Sequence, residues 1–432
     1  LAGAVLVALV SFTSIVYFIY GLEGITSTTL TVSILLLPLN SIRLTTNIAW
    51  SDVFLLLSFA LLLPTLFRFW HSSLQKVRPI LIPSLMLLAF GLVGSFLSID
   101  IVGSISSLAK LFVVSIIFPI TLASWCNTKT QLLFLYVAFS LSVSINSLLA
   151  NFGLNHNAFT DRSRGLYLHA NHLALTCVIA LVVCLSIALS NLSRKIRLGA
   201  IIGFASCFLG ITSSGSRAGI IGLLFGFVVL LYFRFGTRAS IAAIILSTSF
   251  YLAILPSIID SIPGTAIGRL AVEDDATQAS NEGRELFLAE AVDAISNHLF
   301  TGGGFANTLQ YHSLPVQILA GSGIFGLAAF SWMVFLLFRS SSRLFPRRLG
   351  ELGFMYGVQA GAAAFLVSDL FQNAIWERFA WFPIVALSLS LWHYRCGSGE
   401  SVNCARDHSY SRAITNTQSV PHSLQRQREV LR

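Results

Sequence analysis

The fold of this chain is decided by stretches such as residues 168–190, which read LHANHLALTCVIALVVCLSIALS. The stretch contains no Lys, Arg, Asp or Glu, and a helix of about 20 such residues crosses a ~30 Å hydrocarbon layer. Similar stretches recur along most of the 432 residues, of which 55% are hydrophobic and 10% charged. Soluble domains have a charged fraction of roughly a quarter. The composition therefore excludes a soluble domain and predicts a polytopic membrane protein.

The apolar segments predict an all-α polytopic membrane protein with about 12 or 13 transmembrane helices. Residues 1–20 are interpreted as a span rather than a signal peptide, because no basic n-region or small-residue cleavage site is visible. The predicted organisation is an N-terminal transmembrane bundle (1–255), a large extracytoplasmic loop containing an amphipathic helix (256–314), C-terminal transmembrane helices (315–394) and a polar, basic, disordered cytoplasmic tail (395–432).

The basic residues predict the orientation, because Lys and Arg collect in short cytoplasmic loops. Nineteen of the 27 fall in alternate connections and in the tail, for example in the connection predicted around Arg68, Lys76 and Arg78. Lys110 lies within a span. The opposite, outer face has more acids than bases, so the positive charge implies no nucleic-acid partner and suits membrane lipids. Its seven basic residues are all Arg, whose planar fork matches phosphate oxygens: Arg43, Arg162, Arg164, Arg217, Arg269, Arg284 and Arg378.

The first unusual outer segment is residues 161–174, where a charged loop containing Arg164 runs into the span quoted above. Asn171 and His172 lie inside the apolar boundary, where a polar side chain costs free energy unless it finds a partner. Hydrogen bonding between helices would provide such a partner. A role facing a substrate is the other interpretation, and both stay open.

The second segment is residues 213–219, which read SSGSRAG between two spans. Gly215 permits a tight turn and a Ser can cap the following helix. Arg217 then lies in the first turn of that helix, where the positive end of the helix dipole opposes a cation. We therefore expect an anionic partner for Arg217, either a protein carboxylate or a ligand.

The third segment is residues 280–295, whose apolar positions recur at three- and four-residue steps and predict an amphipathic helix along the membrane surface or over a cavity. Ser280 or Asn281 would cap it, with Glu282 in its first turn. Arg284 is then a second cation near a helix start. An ordinary salt bridge to a neighbouring Glu is the alternative role for Arg284.

The fourth segment holds the triple glycine at 302–304 and then His312, just before a helix that returns into the bilayer. Three glycines allow the backbone either to approach a ligand closely or to fold sharply. A lone His at this position is either structural or catalytic.

The sequence predicts no metal and no cofactor. The acidic run at 273–275 is typical of a solvated loop, and Cys396, Cys404 and His408 in the tail match no zinc spacing. None of the six cysteines falls in an outer loop, which excludes a disulfide framework there.

In their order along the chain, these elements resemble the O-antigen ligase and polymerase superfamily. The resemblance rests on the Gly-Ser-Arg turn at 215–217, the Gly-Arg pair at 283–284, the glycine turn, and His312 followed by Gly323-Ile324-Phe325-Gly326. Asn171 and the three residues after it look like the family's Asn-bearing helix start. Many members have Asn after the His, whereas this chain has Ser313.

The resemblance implies a metal-independent, inverting glycosyltransferase on the periplasmic side of a bacterial inner membrane. Its donor would be a polyprenyl-pyrophosphate-linked glycan, and its acceptor a hydroxyl of another glycan or of a lipid A core. Arg217 and Arg284 would bind the pyrophosphate, and His312 would be the general base or orient the acceptor. Arg164, Asn171 and His172 are further candidates to face the substrate.

Two other classes stay open. A polytopic solute transporter usually has ionisable residues or broken helices near the membrane midplane, and here Lys110 is the only charge clearly deep in a span. A non-catalytic scaffold would leave Arg217, Arg284 and His312 unexplained.

Overall fold

The computed structural model describes residues 21, 23–45, 48–157, 162–253, 275–306, 308–344 and 353–397. These residues are mostly helical. Their only strands are His156–Asn157 and Arg162–Ser163, which form a two-residue antiparallel pair. The prediction of an all-α polytopic membrane protein is confirmed.

The helices are numbered in chain order over the described residues. They are α1 (23–36), α2 (Trp50–Arg68), α3 (Trp70–Phe96), α4 (Ile101–Trp125, with a π-helical turn at Val113–Ile117), α5 (Lys129–Asn151), α6 (Ala170–Ala188), α7 (Arg194–Ser213), α8 (Arg217–Phe235), α9 (Thr237–Ala253), α10 (Asp275–Asn297), α11 (Leu314–Leu344), α12 (Gly353–Asp369) and α13 (Arg378–Gly397).

Among the described residues, eight helices are long and apolar enough to cross a membrane, namely α2 to α8 and α11. Helices α12 and α13 coincide with two further predicted spans. The predicted span at 1–20 and most of the predicted tail lie outside the described residues. The total of about 12 or 13 spans therefore stays a prediction.

Helix α6, the helix of the opening sequence stretch, lies at the centre of the bundle. Nearly all of its side chains are buried, and it packs against α5, α7, α8 and α12. An apolar surface on every side is what a fully surrounded helix requires. Small residues allow the close approach: Gly210 of α7 faces Cys177, and Gly357 of α12 faces Ser186.

The predicted connection around Arg68, Lys76 and Arg78 is corrected. Only Phe69 separates α2 from α3, so Lys76 and Arg78 lie within α3. Lys76 is buried, and its ammonium group donates to Ala123 O at 3.0 Å and to Asn127 Oδ1 at 2.7 Å. The helix can continue through this polar stretch because carbonyl groups at the end of α4 accept hydrogen bonds from the buried ammonium group of Lys76.

Helix α11 is broken at Gly323, where φ is 69°. The segment at 299–305 covers the break: Gly303 N donates to Ala320 O at 2.8 Å, and Ile324 N donates to Leu299 O at 2.8 Å. The triple glycine therefore folds sharply onto α11, which is the second of its two predicted roles. His312 precedes the short helical part at 314–322, and the long part of α11 begins only after Gly323.

The predicted amphipathic helix is present as α10, but its predicted cap is wrong. The structure describes the helix from Asp275, so Ser280 and Asn281 lie inside it and Arg284 is not near its start. The helix extends towards the N-terminus because Ala276, Gln278 and Ala279 are good helix formers.

Replacing Gly321 with Ala should destabilise the protein, because an added methyl group would overlap the buried ring of Phe305. Overpacking of this kind typically costs about 1–3 kcal/mol, and we expect a lower melting temperature of the detergent-solubilised protein, followed by tryptophan fluorescence. Gly199→Ala is the control, since Gly199 has open space around it on α7. Equal melting temperatures for Gly321→Ala and wild type would contradict this packing.

Candidate active site

The unusual segments of the sequence meet at one end of the bundle. The loop after α1 bonds to the loop before α6 through Ser41 Oγ and Leu166 O at 2.6 Å. Arg162 Nε of that second loop donates to Ser214 O, in the turn before α8, at 2.7 Å. Arg217 Nη2 then donates to Asn281 Oδ1 of α10 at 2.7 Å. One continuous set of contacts thus joins segments that are far apart in the chain.

Asn40 is the buried centre of this end. Its amide nitrogen donates to Glu377 Oε2 at 2.9 Å and lies 3.4 Å from His172 Nδ1. Its amide oxygen accepts the backbone N–H of Leu168 at 3.1 Å, and its backbone oxygen accepts Arg43 Nε at 2.9 Å. Asn40 therefore holds together the ends of α1, α6 and α13.

The structure places Asn171 and His172 against outer-loop groups. Arg162 Nη2 donates to Asn171 Oδ1 at 2.6 Å. His172 is 3% exposed and faces Asn40, with the His169 ring edge-on to it at 5.1 Å between centroids. The Nε2 atom of His172 is buried and has no hydrogen-bond partner among the described residues.

Glu377 supplies negative charge to this cluster. Desolvation raises the pKa of its carboxyl group, but interactions with His172, Arg378 and the Asn40 amide lower the pKa by more, so that it lies below its usual value. The side chain is therefore ionised at neutral pH. Its neighbour Arg378 forms an ion pair with Asp52 of α2. At least one of the seven outer Arg residues is therefore paired with a carboxylate of the protein itself.

Arg217 is the first residue of α8, as predicted, and Gly215 makes the turn before it with φ of 63°. The predicted serine cap is absent, because Ser216 makes no side-chain cap hydrogen bond. In the part of the chain that the structure describes, Arg217 pairs with no carboxylate, and its hydrogen-bond partner is the neutral amide of Asn281. The positive charge at this helix start is therefore not neutralised by a described side chain.

Helix α10 presents a row of residues to the site. Asn281, Arg284 and Phe287 follow one another at three-residue steps, which keeps them on neighbouring positions of one helix face. Asn281 bonds Arg217, and the ring of Phe287 lies 6.2 Å from that of His312. This face spans the distance from the start of α8 to the segment before α11, so Arg217, Arg284 and His312 are brought to the same helix.

The surroundings of His312 favour the neutral form of its imidazole ring. Burial lowers the pKa of His312, and the positive charges of Arg284 and His169 lower it further. The imidazole is therefore unprotonated at neutral pH and can accept a proton. Arg164 is exposed, and its guanidinium reaches Leu168 O at 3.4 Å, so it lies at the rim of the same cluster.

Helix α10 also covers a cavity of about 260 Å³ beside the site. Its walls include Asp293 from α10, His298 just after that helix, Gly304 from the glycine turn and Tyr311 next to His312. The opposite side of α10 carries the exposed apolar residues Leu288 and Val292, with 53% and 58% of their surfaces accessible. The helix therefore lies over a cavity, and its location along the membrane surface stays a prediction.

Three residues of the cluster were not singled out by the sequence: Asn40, His169 and Glu377. Asn40 follows a short apolar segment, and Glu377 counted only as one acid among several on the outer face. His169 precedes the span that contains Asn171 and His172. Its closeness to these two residues in the sequence is the feature that could have indicated that it belongs to the cluster.

The fold and this cluster define a multi-pass membrane protein with basic and imidazole groups assembled at one end of its bundle. Residues 202–331 match the family model of O-antigen ligase, and the resemblance to the O-antigen ligase and polymerase superfamily is confirmed. The matched region contains Arg217, Arg284 and His312 and ends within α11. A search of curated proteins gives no match. The match supports a role in glycan transfer during polysaccharide biosynthesis, of the kind that a membrane glycosyltransferase performs.

Replacing Glu377 with Gln should lower the melting temperature. Gln can still accept the Asn40 hydrogen bond, but it removes the negative charge that strengthens this bond and attracts Arg378, and a hydrogen bond to a charged group contributes about 1.5–3 kcal/mol. Because the folded-state pKa of Glu377 lies below 4.5, the charge contributes stability above that pH. The difference between variant and wild type should therefore shrink as the pH falls further.

The control for this measurement is Glu285→Gln on the exposed side of α10, which should melt like wild type. A Glu377→Gln protein that melts at the wild-type temperature at neutral pH would show that the carboxylate does not stabilise the cluster.

Proposed function

We propose that the protein transfers a glycan from a polyprenyl-pyrophosphate carrier to an acceptor sugar hydroxyl on the outer side of the inner membrane. The observation that supports this most is the convergence of Arg217, Arg284 and His312 on one face of α10. Two guanidinium groups and an unprotonated imidazole suit a reaction in which a hydroxyl attacks and a pyrophosphate leaves.

The two arginines would stabilise the leaving group. Breaking the bond between the anomeric carbon and the pyrophosphate oxygen leaves negative charge on that oxygen, and fixed cations lower the energy of the transition state. A guanidinium can bind two phosphate oxygens at once. Arg217 is suited to this role because its described partner is the uncharged Asn281.

His312 would act as the general base. As the acceptor oxygen forms its bond to the anomeric carbon, its proton passes to His312, and the polyprenyl pyrophosphate departs from the opposite face with inversion. A positioned base of this kind contributes about 10²- to 10⁴-fold. His172 is 3% exposed and contacts Asn40, which favours the interpretation that it joins helices over a substrate-facing role.

The distribution of charge supports an outer location. The chain segments at the other end of the bundle carry most of the basic residues, including Arg194, Arg197 and Arg238, and such residues stay on the cytoplasmic side. The acceptor is a hydroxyl of either a lipid-linked glycan or a lipid A core, which correspond to a polymerase and a ligase.

Transport is the weaker alternative. A transporter commonly uses a broken helix whose free backbone groups line a central cavity. Within the described part of α11, the break at Gly323 is covered by Phe300 and Gly302, which leaves no room there for a solute.

Replacing Arg217 with Lys should weaken binding of polyprenyl pyrophosphate about tenfold, because Lys keeps the charge but loses the two-pronged contact. Native mass spectrometry of the purified protein with added undecaprenyl pyrophosphate measures this directly. Asn281→Asp should weaken binding more than Asn281→Ala, since a carboxylate beside Arg217 neutralises it and repels the ligand.

Arg238→Lys provides the matched control, because Arg238 also lies in the first turn of a helix but at the opposite end of the bundle. Its affinity should equal that of wild type. If Arg217→Lys and Asn281→Asp both bind as wild type does, Arg217 is not a pyrophosphate ligand.

Replacing His312 with Ala should reduce glycan transfer by about 10²-fold or more while leaving pyrophosphate binding intact. In the wild type, transfer should fall only as the pH drops below the ordinary histidine value of 6.5, because burial and Arg284 lower the pKa of His312. Arg284→Gln removes one of these positive charges, so the acid limb of its residual activity should move to higher pH. Turnover of the donor glycan at the wild-type rate by His312→Ala would eliminate His312 as the base.

A further inference from the structure

A second cavity, of about 490 Å³, lies at the end of the bundle opposite the candidate active site, between α3, α11 and α13. Its walls include Arg78, Arg395, Trp332 and Trp392. Arg78 lies near the start of α3, whose far end packs against the glycine turn at Gly94. Arg395 is in the last turn of α13, which begins beside Glu377. The two cavities are therefore separated by the length of the helices.

The wall of this cavity has a positively charged part and an apolar part. Arg78 and Arg395 are both exposed and provide positive charge. Pro79, Ile82 and Leu336 form an apolar surface with the two indole rings. Tryptophan is enriched where membrane proteins meet the headgroup layer, because the ring is apolar and its N–H is polar. Trp332 is 41% exposed on α11, which fits that environment.

A ligand that fills this space must combine an anionic group with a hydrocarbon part. A free inorganic anion would meet the arginines but leave the apolar wall uncovered. The volume is in the usual range for a small-molecule site, roughly 300–1,000 Å³. Among the described residues, Arg78 makes no ion pair. A phosphate group would therefore provide an anionic partner for its guanidinium group.

We propose that this cavity binds an anionic glycerophospholipid of the surrounding bilayer. Its phosphate lies between Arg78 and Arg395, and the start of an acyl chain lies along Ile82 and Leu336. The bound lipid ties the start of α3 to the ends of α11 and α13. This site is independent of the glycan-transfer proposal, since it shares no residue with the candidate active site.

The test measures lipid binding to the purified full-length chain by native mass spectrometry, with phosphatidylglycerol and phosphatidylcholine titrated separately. Wild type should prefer phosphatidylglycerol. The double variant Arg78→Gln with Arg395→Gln should bind phosphatidylglycerol about tenfold more weakly or worse, since it loses both basic residues that attract the anionic headgroup. Leu336→Trp keeps both arginines, and should also weaken binding because the larger side chain fills the space of the acyl chain.

The matched control is the double variant Arg194→Gln with Arg238→Gln, which removes the same charge from the same end but outside the cavity. It should bind as wild type does. Equal losses in the two double variants would overturn the proposal in favour of general surface attraction. Equal binding of phosphatidylcholine would also overturn it, as would equally tight binding of glycerol 3-phosphate. Binding of undecaprenyl phosphate that is stronger than that of phosphatidylglycerol, and that is lost in the Arg78→Gln with Arg395→Gln variant, would assign the cavity to the carrier lipid instead.

Discussion

The structure depends on one constraint, that backbone polar groups inside a hydrocarbon layer must find their partners within the protein. Continuous helices meet this requirement by themselves. Where α11 is interrupted at Gly323, the segment at 299–305 meets it instead, through hydrogen bonds from Gly303 to Ala320 and from Ile324 to Leu299. Gly302 is needed in this segment because its backbone lies too close to that of Gly321 for a side chain between them. The same contact fixes the position of the chain just before His312.

The same constraint sends most ionisable groups to the two ends of the bundle. One buried exception, Lys76, is satisfied by the carbonyl groups at the end of α4. At the opposite end, Asp52 pairs with Arg378, while Glu377 is held by Asn40. The protein thus has a basic end, whose cavity suits a lipid phosphate, and an end where arginines and histidines surround a few anions. The chemistry that we propose belongs to the second end.

The candidate active site is assembled by two kinds of contact. Asn40 joins three helix ends through its amide and so sets the position of His172. Helix α10 supplies the other side, where Asn281 bonds Arg217 and Phe287 faces His312. The cluster combines charge with exclusion of water, and this combination keeps His312 unprotonated while the guanidinium groups stay charged. A base and two cations can therefore act together at neutral pH.

The sequence by itself determined the features that depend on neighbouring residues. Uninterrupted apolar stretches specify helices of membrane length, Gly215 places Arg217 at a helix start, and three- and four-residue spacing identifies α10. The partners of these residues were decided only by the tertiary structure. Asn40 and Glu377 bond across 337 positions of the chain, and Arg378 and Asp52 pair across 326. Local periodicity carries no information about such pairs, because they form when the packing of whole helices brings distant ends together.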